Sequence, residues 1–156
     1  MSTVAAFLLV VVLVAGGVAS GVLLSTVVGI VPFMLASDYR RYVQTVQFLR
    51  PRFDPLMPAT NGLTVLGDAG LVIVAPQWPA RILFAAAAVL VAGTMLVSIV
   101  KQVPVNRYVV GLDPQREPDD WPARDPRRRW RNWNVIRTSF AVVALALNAS
   151  GAALLS

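Results

Sequence analysis

Asn61, Asp68, Arg137 and Asn148 stand where the sequence is otherwise apolar, and they are the residues through which this chain could do chemistry. A polar group inside a hydrophobic span is costly unless it faces other protein or a water-filled cavity, so each is a functional candidate. Asp68 is the sharpest: a carboxylate in such a setting can act as a general base towards a weakly acidic proton, while its plainer reading is a structural partner for a basic residue, or a position shallow enough in the membrane to be wet. Arg137, with Asn134, sits deeper than the arginines that precede it, and the two read as a bundle-facing pair. The segment Lys101-Gln-Val-Pro-Val-Asn-Arg107 closes an apolar run with a proline that frees backbone carbonyls, followed by Asn106, which can both donate and accept. The segment Asp125-Pro-Arg-Arg-Arg-Trp-Arg-Asn-Trp-Asn-Val-Ile-Arg-Thr138 opens another. Helical spacing puts Trp130, Asn134 and Arg137 on one face, with Trp133 one turn from Arg137. Arg127, Arg128, Arg129 and Arg131 read more plainly as lipid anchors beside an aromatic belt.

The residue types that are missing narrow the chemistry further. There is no histidine and no cysteine, which removes histidine-ligated haem, zinc and copper sites, thiolate catalysis and disulfides together. No metal site and no bound cofactor is expected. Fourteen Lys and Arg against eight Asp and Glu give a net charge of +6, a balance that elsewhere suggests nucleic acid. Here the basic residues flank long apolar runs, so membrane topology accounts for them and a nucleic-acid partner is not expected.

Those residues must be positioned by membrane-spanning helices. Hydrophobic residues make up 56% and charged residues only 14%, against about 25% charged in a soluble domain. The expected fold is all-α: a polytopic four-helix transmembrane bundle forming a single membrane domain over 1–156. Its spans are near 4–35, 57–78, 82–100 and 135–155, and its loops are 37–56 and 101–134. The first run is longer than the roughly 20 residues that cross a bilayer core, and it lacks the short apolar core of a secretory signal. It is followed by an amphipathic interfacial segment. The second span is the weakest, with Asn61, Gly62, Gly67, Asp68 and Gly70, and a three-span chain with this segment re-entrant is the alternative. A turn at Pro76-Gln77-Trp78-Pro79 makes spans two and three a hairpin. Basic residues crowd both long loops, while the other side has only Arg81. The positive-inside rule therefore puts the loops in the cytoplasm and both termini outside a plasma-membrane protein. Gly17, Gly21, Ser25 and Gly29 repeat at every fourth position of span one; this small-residue stripe suits packing within the bundle, or a partner subunit or second copy.

The order of these features carries a resemblance. Val-Pro-Phe at 31–33, Tyr-Val-Gln-Thr-Val-Gln at 42–47, Val-Pro-Val-Asn at 103–106 and Trp-Arg-Asn-Trp-Asn-Val-Ile-Arg-Thr at 130–138 together resemble the anthrone-oxygenase-like family of small four-helix membrane proteins. The resemblance implies oxygenation of a hydrophobic, anthrone-type aromatic substrate with dioxygen as co-substrate and without metal or flavin. A base would remove the acidic ring proton, and the delocalised carbanion would reduce dioxygen directly. In that scheme Asp68, Asn106 and Arg137 are the expected catalytic residues, with Trp130, Trp133, Asn134 and Asn61 binding the substrate. The rival expectation is a non-enzymatic accessory subunit that uses the stripe and the basic loops to bind partner helices or anionic lipid. Enzymatic chemistry requires the catalytic residues to share one pocket beside a tryptophan; the accessory role requires an exposed stripe and no cavity.

Overall fold

The structure, a computed structural model, describes residues 2–155, and among them every regular element is helical. Four helices are long and apolar enough to cross a membrane. They are α1 (Thr3–Ala36), α2 (Tyr39–Val74), α3 (Trp78–Val110) and α4 (Arg127–Ala153), with a single turn, Trp121–Arg124, ahead of α4. The Ser2 side chain caps α1 by accepting from the Ala5 N–H, and Asp38 caps α2 by accepting from Arg41 N–H at 2.8 Å. Only Ala75, Pro76 and Gln77 separate α2 from α3, the tight hairpin expected at that turn.

The stretch expected as a loop at 37–56 is mostly helix and runs without a break into span two, although α2 contains Pro51, Pro55 and Pro58. The spacing of these prolines, four and then three, puts them on one side of the helix, and all are exposed. The missing N–H groups therefore fall along one solvent-accessible edge and the rest of the ladder holds. The expected loop 101–134 is likewise largely helical, α3 continuing to Val110 and α4 beginning at Arg127.

Prolines are accommodated differently in α1 and α3. Each has a π-helical segment just before its proline, Thr26–Ile30 ahead of Pro32 and Ser98–Gln102 ahead of Pro104. The Val31 N–H reaches back to Thr26 O and the Val103 N–H to Ser98 O, one residue further than in an α-helix. The wider turn moves aside the carbonyl that a proline ring would otherwise strike.

The helices form a ring in which each packs on its neighbours: α1 on α2, α2 on α3, α3 on α4 and α4 back on α1. Close approach depends on small residues. A Cβ at Gly67 of α2 would lie 2.5 Å from a Val12 methyl carbon of α1, and one at Gly151 of α4 would lie 2.8 Å from the Phe84 ring of α3. Because lipid is as apolar as the helix surfaces, polar contacts join the helices as well. Ser20 Oγ donates to Ala141 O at 3.0 Å, and Thr138 Oγ1 to Leu23 O at 3.3 Å. Outward faces carry large apolar side chains such as Phe7, Val28, Leu66, Ile73 and Val89, as a lipid-facing surface requires.

Gly17, Gly21 and Gly29 lie on that outward surface, since a Cβ at any of them would meet nothing within 4 Å. The stripe does not pack within the bundle. The small residues buried on α1 are Ala5, Ala15, Gly16, Ala19 and Ser20, one helical face away.

At the basic end the bundle is closed by a cap. Val31, Met34, Tyr39, Tyr42, Val43, Val46, Val105, Val109, Trp121 and Trp130 form one apolar cluster there. Tyr39 donates its hydroxyl hydrogen to Asp113 O at 2.9 Å and meets Trp121 edge-on, with ring centroids 4.8 Å apart. Gln47 ties α2 to the end of α3 by donating to Val110 O and Leu112 O.

Candidate active site

Just beneath this cap a cleft opens between the four helices, and the two motifs around Asn106 and Trp130 supply part of its polar lining. One lobe, of about 80 Å³, is walled by Val22, Leu23, Ile30, Met34, Val46 and Leu49 and includes Trp130. A second lobe, of about 190 Å³, adds Asn61, Met95, Ser98, Ile99 and Gln102. Phe53, Asp54, Met57, Asn106 and Arg137 border both lobes, so they mark the junction. Both π segments contribute, Thr26 and Ile30 to the first lobe and Ser98, Ile99 and Gln102 to the second. Such widened turns often occur at functional sites, because they re-aim the side chains they carry.

Arg137 is fixed on three sides. Its Nε and Nη2 donate to Asn134 Oδ1 at 3.0 and 2.6 Å, and its Nη1 donates to Ser98 Oγ at 3.1 Å. Asn134 is itself oriented, donating to Trp130 O at 2.9 Å. Among the described residues no carboxylate pairs with Arg137; the ion pairs there are Arg50–Asp54, Arg124–Asp120 and Arg127–Asp125. Three of the guanidinium's five N–H donors are used, which leaves donors and an unneutralised charge facing a largely apolar cleft. Asn106 is held in a complementary way. Its Oδ1 accepts from Trp130 Nε1 at 3.1 Å, so the carboxamide is oriented, and its NH₂ donates to none of the described residues. Together these groups can stabilise an oxyanion.

The expected site residues separate into two groups. Asn106, Arg137, Trp130 and Asn61 border the cleft, and Asn134 stands behind Arg137 as its orienting partner. Trp130 is used through its N–H and its backbone carbonyl more than through an exposed ring face, being 8% exposed. Trp133 is not among the cleft residues, and Lys101 Nζ lies 5.2 Å from its ring centroid.

Asp68 lies apart from the cleft, fully buried, with its Oδ2 accepting from Asn148 Nδ2 at 3.5 Å across the α2–α4 interface. The Oδ1 atoms of both residues are buried, and among the described residues neither has a hydrogen-bond partner. A cavity of about 10 Å³, room for about one water, touches Asn148, Thr64, Ser20 and Asn61. Asn61 also borders the second lobe, so a polar seam runs from the interior to the cleft. Within that seam Asp68 ties helices together.

Of the four arginines expected as anchors, Arg128, Arg129 and Arg131 are exposed, whereas Arg127 is a clasp. Its Nε and Nη2 engage Asp125, its Nη1 donates to Ser37 O at 2.6 Å and to Met34 O at 3.2 Å, and its guanidinium carbon lies 5.5 Å from the Tyr42 ring centroid. The clasp fixes the end of α1 to the start of α4 directly above the cleft.

Gln102 and Asp54 are among the cleft residues that were not singled out in the sequence. Gln102 is 2% exposed and donates to Trp130 O at 3.1 Å, and its Oε1 has no partner among the described residues. Asp54 pairs with Arg50 at 2.9 Å and borders both lobes. Its signal was weak, since it depends on α2 continuing through three prolines.

Among the described residues no cluster of acidic side chains could hold a metal ion. A family model described as anthrone oxygenase matches residues 53–147, the stretch that carries Asp54, Asn61, Gln102, Asn106, Trp130, Asn134 and Arg137. No curated protein and no solved structure matches the chain.

Proposed function

The chain belongs to the anthrone oxygenase family, and on that premise we propose that it is a membrane-embedded oxygenase for a hydrophobic, anthrone-type aromatic substrate bound in the Asn106–Arg137 cleft. The observation that carries the reading is the unpaired Arg137 guanidinium beside the free Asn106 amide hydrogens in a largely apolar cleft. A carbanion at the anthrone CH₂ carbon is conjugated through the flanking aromatic rings to the ketone and places charge on the ketone oxygen. Donors already fixed by Asn134, Ser98 and Trp130 stabilise that oxygen with little reorganisation. Dioxygen is the oxidant and partitions into hydrocarbon, so a cleft within the membrane helices suits both substrates. Ring binding falls to the apolar walls with Phe53 and Met57, and Asn61 lies at the far rim. In this reading the basic loops face the cytoplasm of a plasma-membrane protein and the cleft opens near that side.

The rival reading, an accessory subunit, has the outward stripe of Gly17, Gly21 and Gly29 in its favour but gives the cleft no role. The two are separated by following oxygen uptake when purified, folded protein is given anthrone. Uptake well above the spontaneous rate, with formation of the quinone, is expected; the spontaneous rate alone would contradict the oxygenase reading.

A further inference from the structure

The expected base, Asp68, is outside the cleft, which leaves the proton-removing group to be found. We propose that Asp54 is the general base of the cleft, an inference that rests on the oxygenase reading above. Among the described residues Asp54 is the one acidic side chain that borders either lobe, and it borders both, as do Asn106 and Arg137. The charged groups facing this cleft are therefore Arg50, Asp54 and Arg137; Lys101 is turned to Trp133. Arg137 and Asp54 do not pair with each other, so a ligand at the junction meets a cation and a carboxylate separately held. Arg50, one turn before Asp54, fixes it through Nε to Oδ2 at 2.9 Å and leaves Oδ1 uncommitted. With a side chain 52% exposed, Asp54 can also return a proton to water.

Pro58 has no N–H, so the helical donor that the Asp54 carbonyl would have had is missing, and Pro55 takes the same donor from Pro51. Asp54 thus sits on a stretch of α2 that lacks these helical hydrogen bonds.

The step balances as follows. Asp54 takes one proton from the acidic ring CH₂, and the electron pair left on carbon delocalises onto the ring oxygen held by Arg137 and Asn106. This carbanion passes one electron to dioxygen, and the resulting radicals join in a C–O bond. The peroxide anion takes a proton back from Asp54. Loss of the remaining C–H proton then expels hydroxide from the O–O bond, and the two combine as water. The CH₂ carbon is oxidised to C=O, one oxygen atom of dioxygen ends in the ketone and the other in water.

The test uses full-length protein in nanodiscs with anthrone as the probe. Binding is read from tryptophan fluorescence, oxygen uptake is followed across pH, and exchange of the ring CH₂ protons in D₂O is followed without oxygen. Asp54→Asn is expected to lower kcat by about 100-fold or more, to abolish the acidic limb of the kcat profile and to reduce anaerobic exchange to the spontaneous rate, with the dissociation constant within about twofold. Asp54→Glu should restore part of both activities. Exchange and uptake by Asp54→Asn within about threefold of the parent, with the same pH profile, would overturn the assignment of the base. Enzyme-dependent exchange with no oxygen uptake would instead overturn the oxygenase reading and leave Asp54 as the base of another proton-transfer reaction. A parent protein that catalyses neither would overturn both.

Discussion

At the scale of residues, the account depends on Arg137 being a charge that the protein has not neutralised. Arg137→Leu is expected to lower kcat/KM for anthrone oxidation by about 10²–10³-fold, and Arg137→Lys to recover only part, because an ammonium lacks the planar fork that reaches Asn134 through two nitrogens and Ser98 through the third. Steady-state oxygen uptake measures both. Asp68 is expected to behave in the opposite way. Asp68→Asn keeps a polar partner for Asn148 and should leave oxygen uptake close to that of the parent protein, whereas Asp68→Leu strands the Asn148 amide and should cost about 1–3 kcal/mol of stability in thermal unfolding. Asn106, Trp130, Asn134 and Arg137 were legible in the sequence because their spacing sets them on single helix faces beside apolar runs. Asp68 was legible as unusual but not as distant from the others, since its partner is 80 positions away. Gln102 and Asp54 were hidden for a different reason. Their direction depends on a π segment and on a helix that continues past its prolines, and hydrophobic periodicity reports neither.

At the scale of elements, the four helices could be read from the apolar runs, but their extent could not. Proline and charge in 37–56 and 101–134 suggested connections, whereas α2 and α3 extend into these regions and build the walls and cap of the cleft. The helix contacts make their own prediction. Gly151 meets the Phe84 ring so closely that Gly151→Val must push α4 from α3, at a cost of about 1–3 kcal/mol, seen as a lower unfolding temperature in detergent. Gly21→Val meets open space on the outer face and should leave the monomer's stability unchanged. If it nonetheless altered the molecular mass of the detergent-solubilised particle, the outward stripe would be a contact with another chain.

At the scale of the whole molecule, the chain is a ring of helices with apolar outward faces, a basic end and a cleft under that end. The charge asymmetry predicts an orientation that the absence of cysteine makes simple to measure. With single cysteines introduced at the exposed positions Gln77 and Gln115, a membrane-impermeant maleimide added to intact cells should label Gln77→Cys and spare Gln115→Cys. The reverse pattern would turn the cleft towards the outside. The most direct test of the central claim, that the Asn106–Arg137 cleft oxygenates an aromatic substrate, is to supply ¹⁸O₂ with anthrone and weigh the quinone produced. One labelled atom in the new carbonyl, formed by the parent protein and lost in Arg137→Leu, is the predicted result; quinone formed at the same rate by both proteins, or only at the rate without protein, would contradict it.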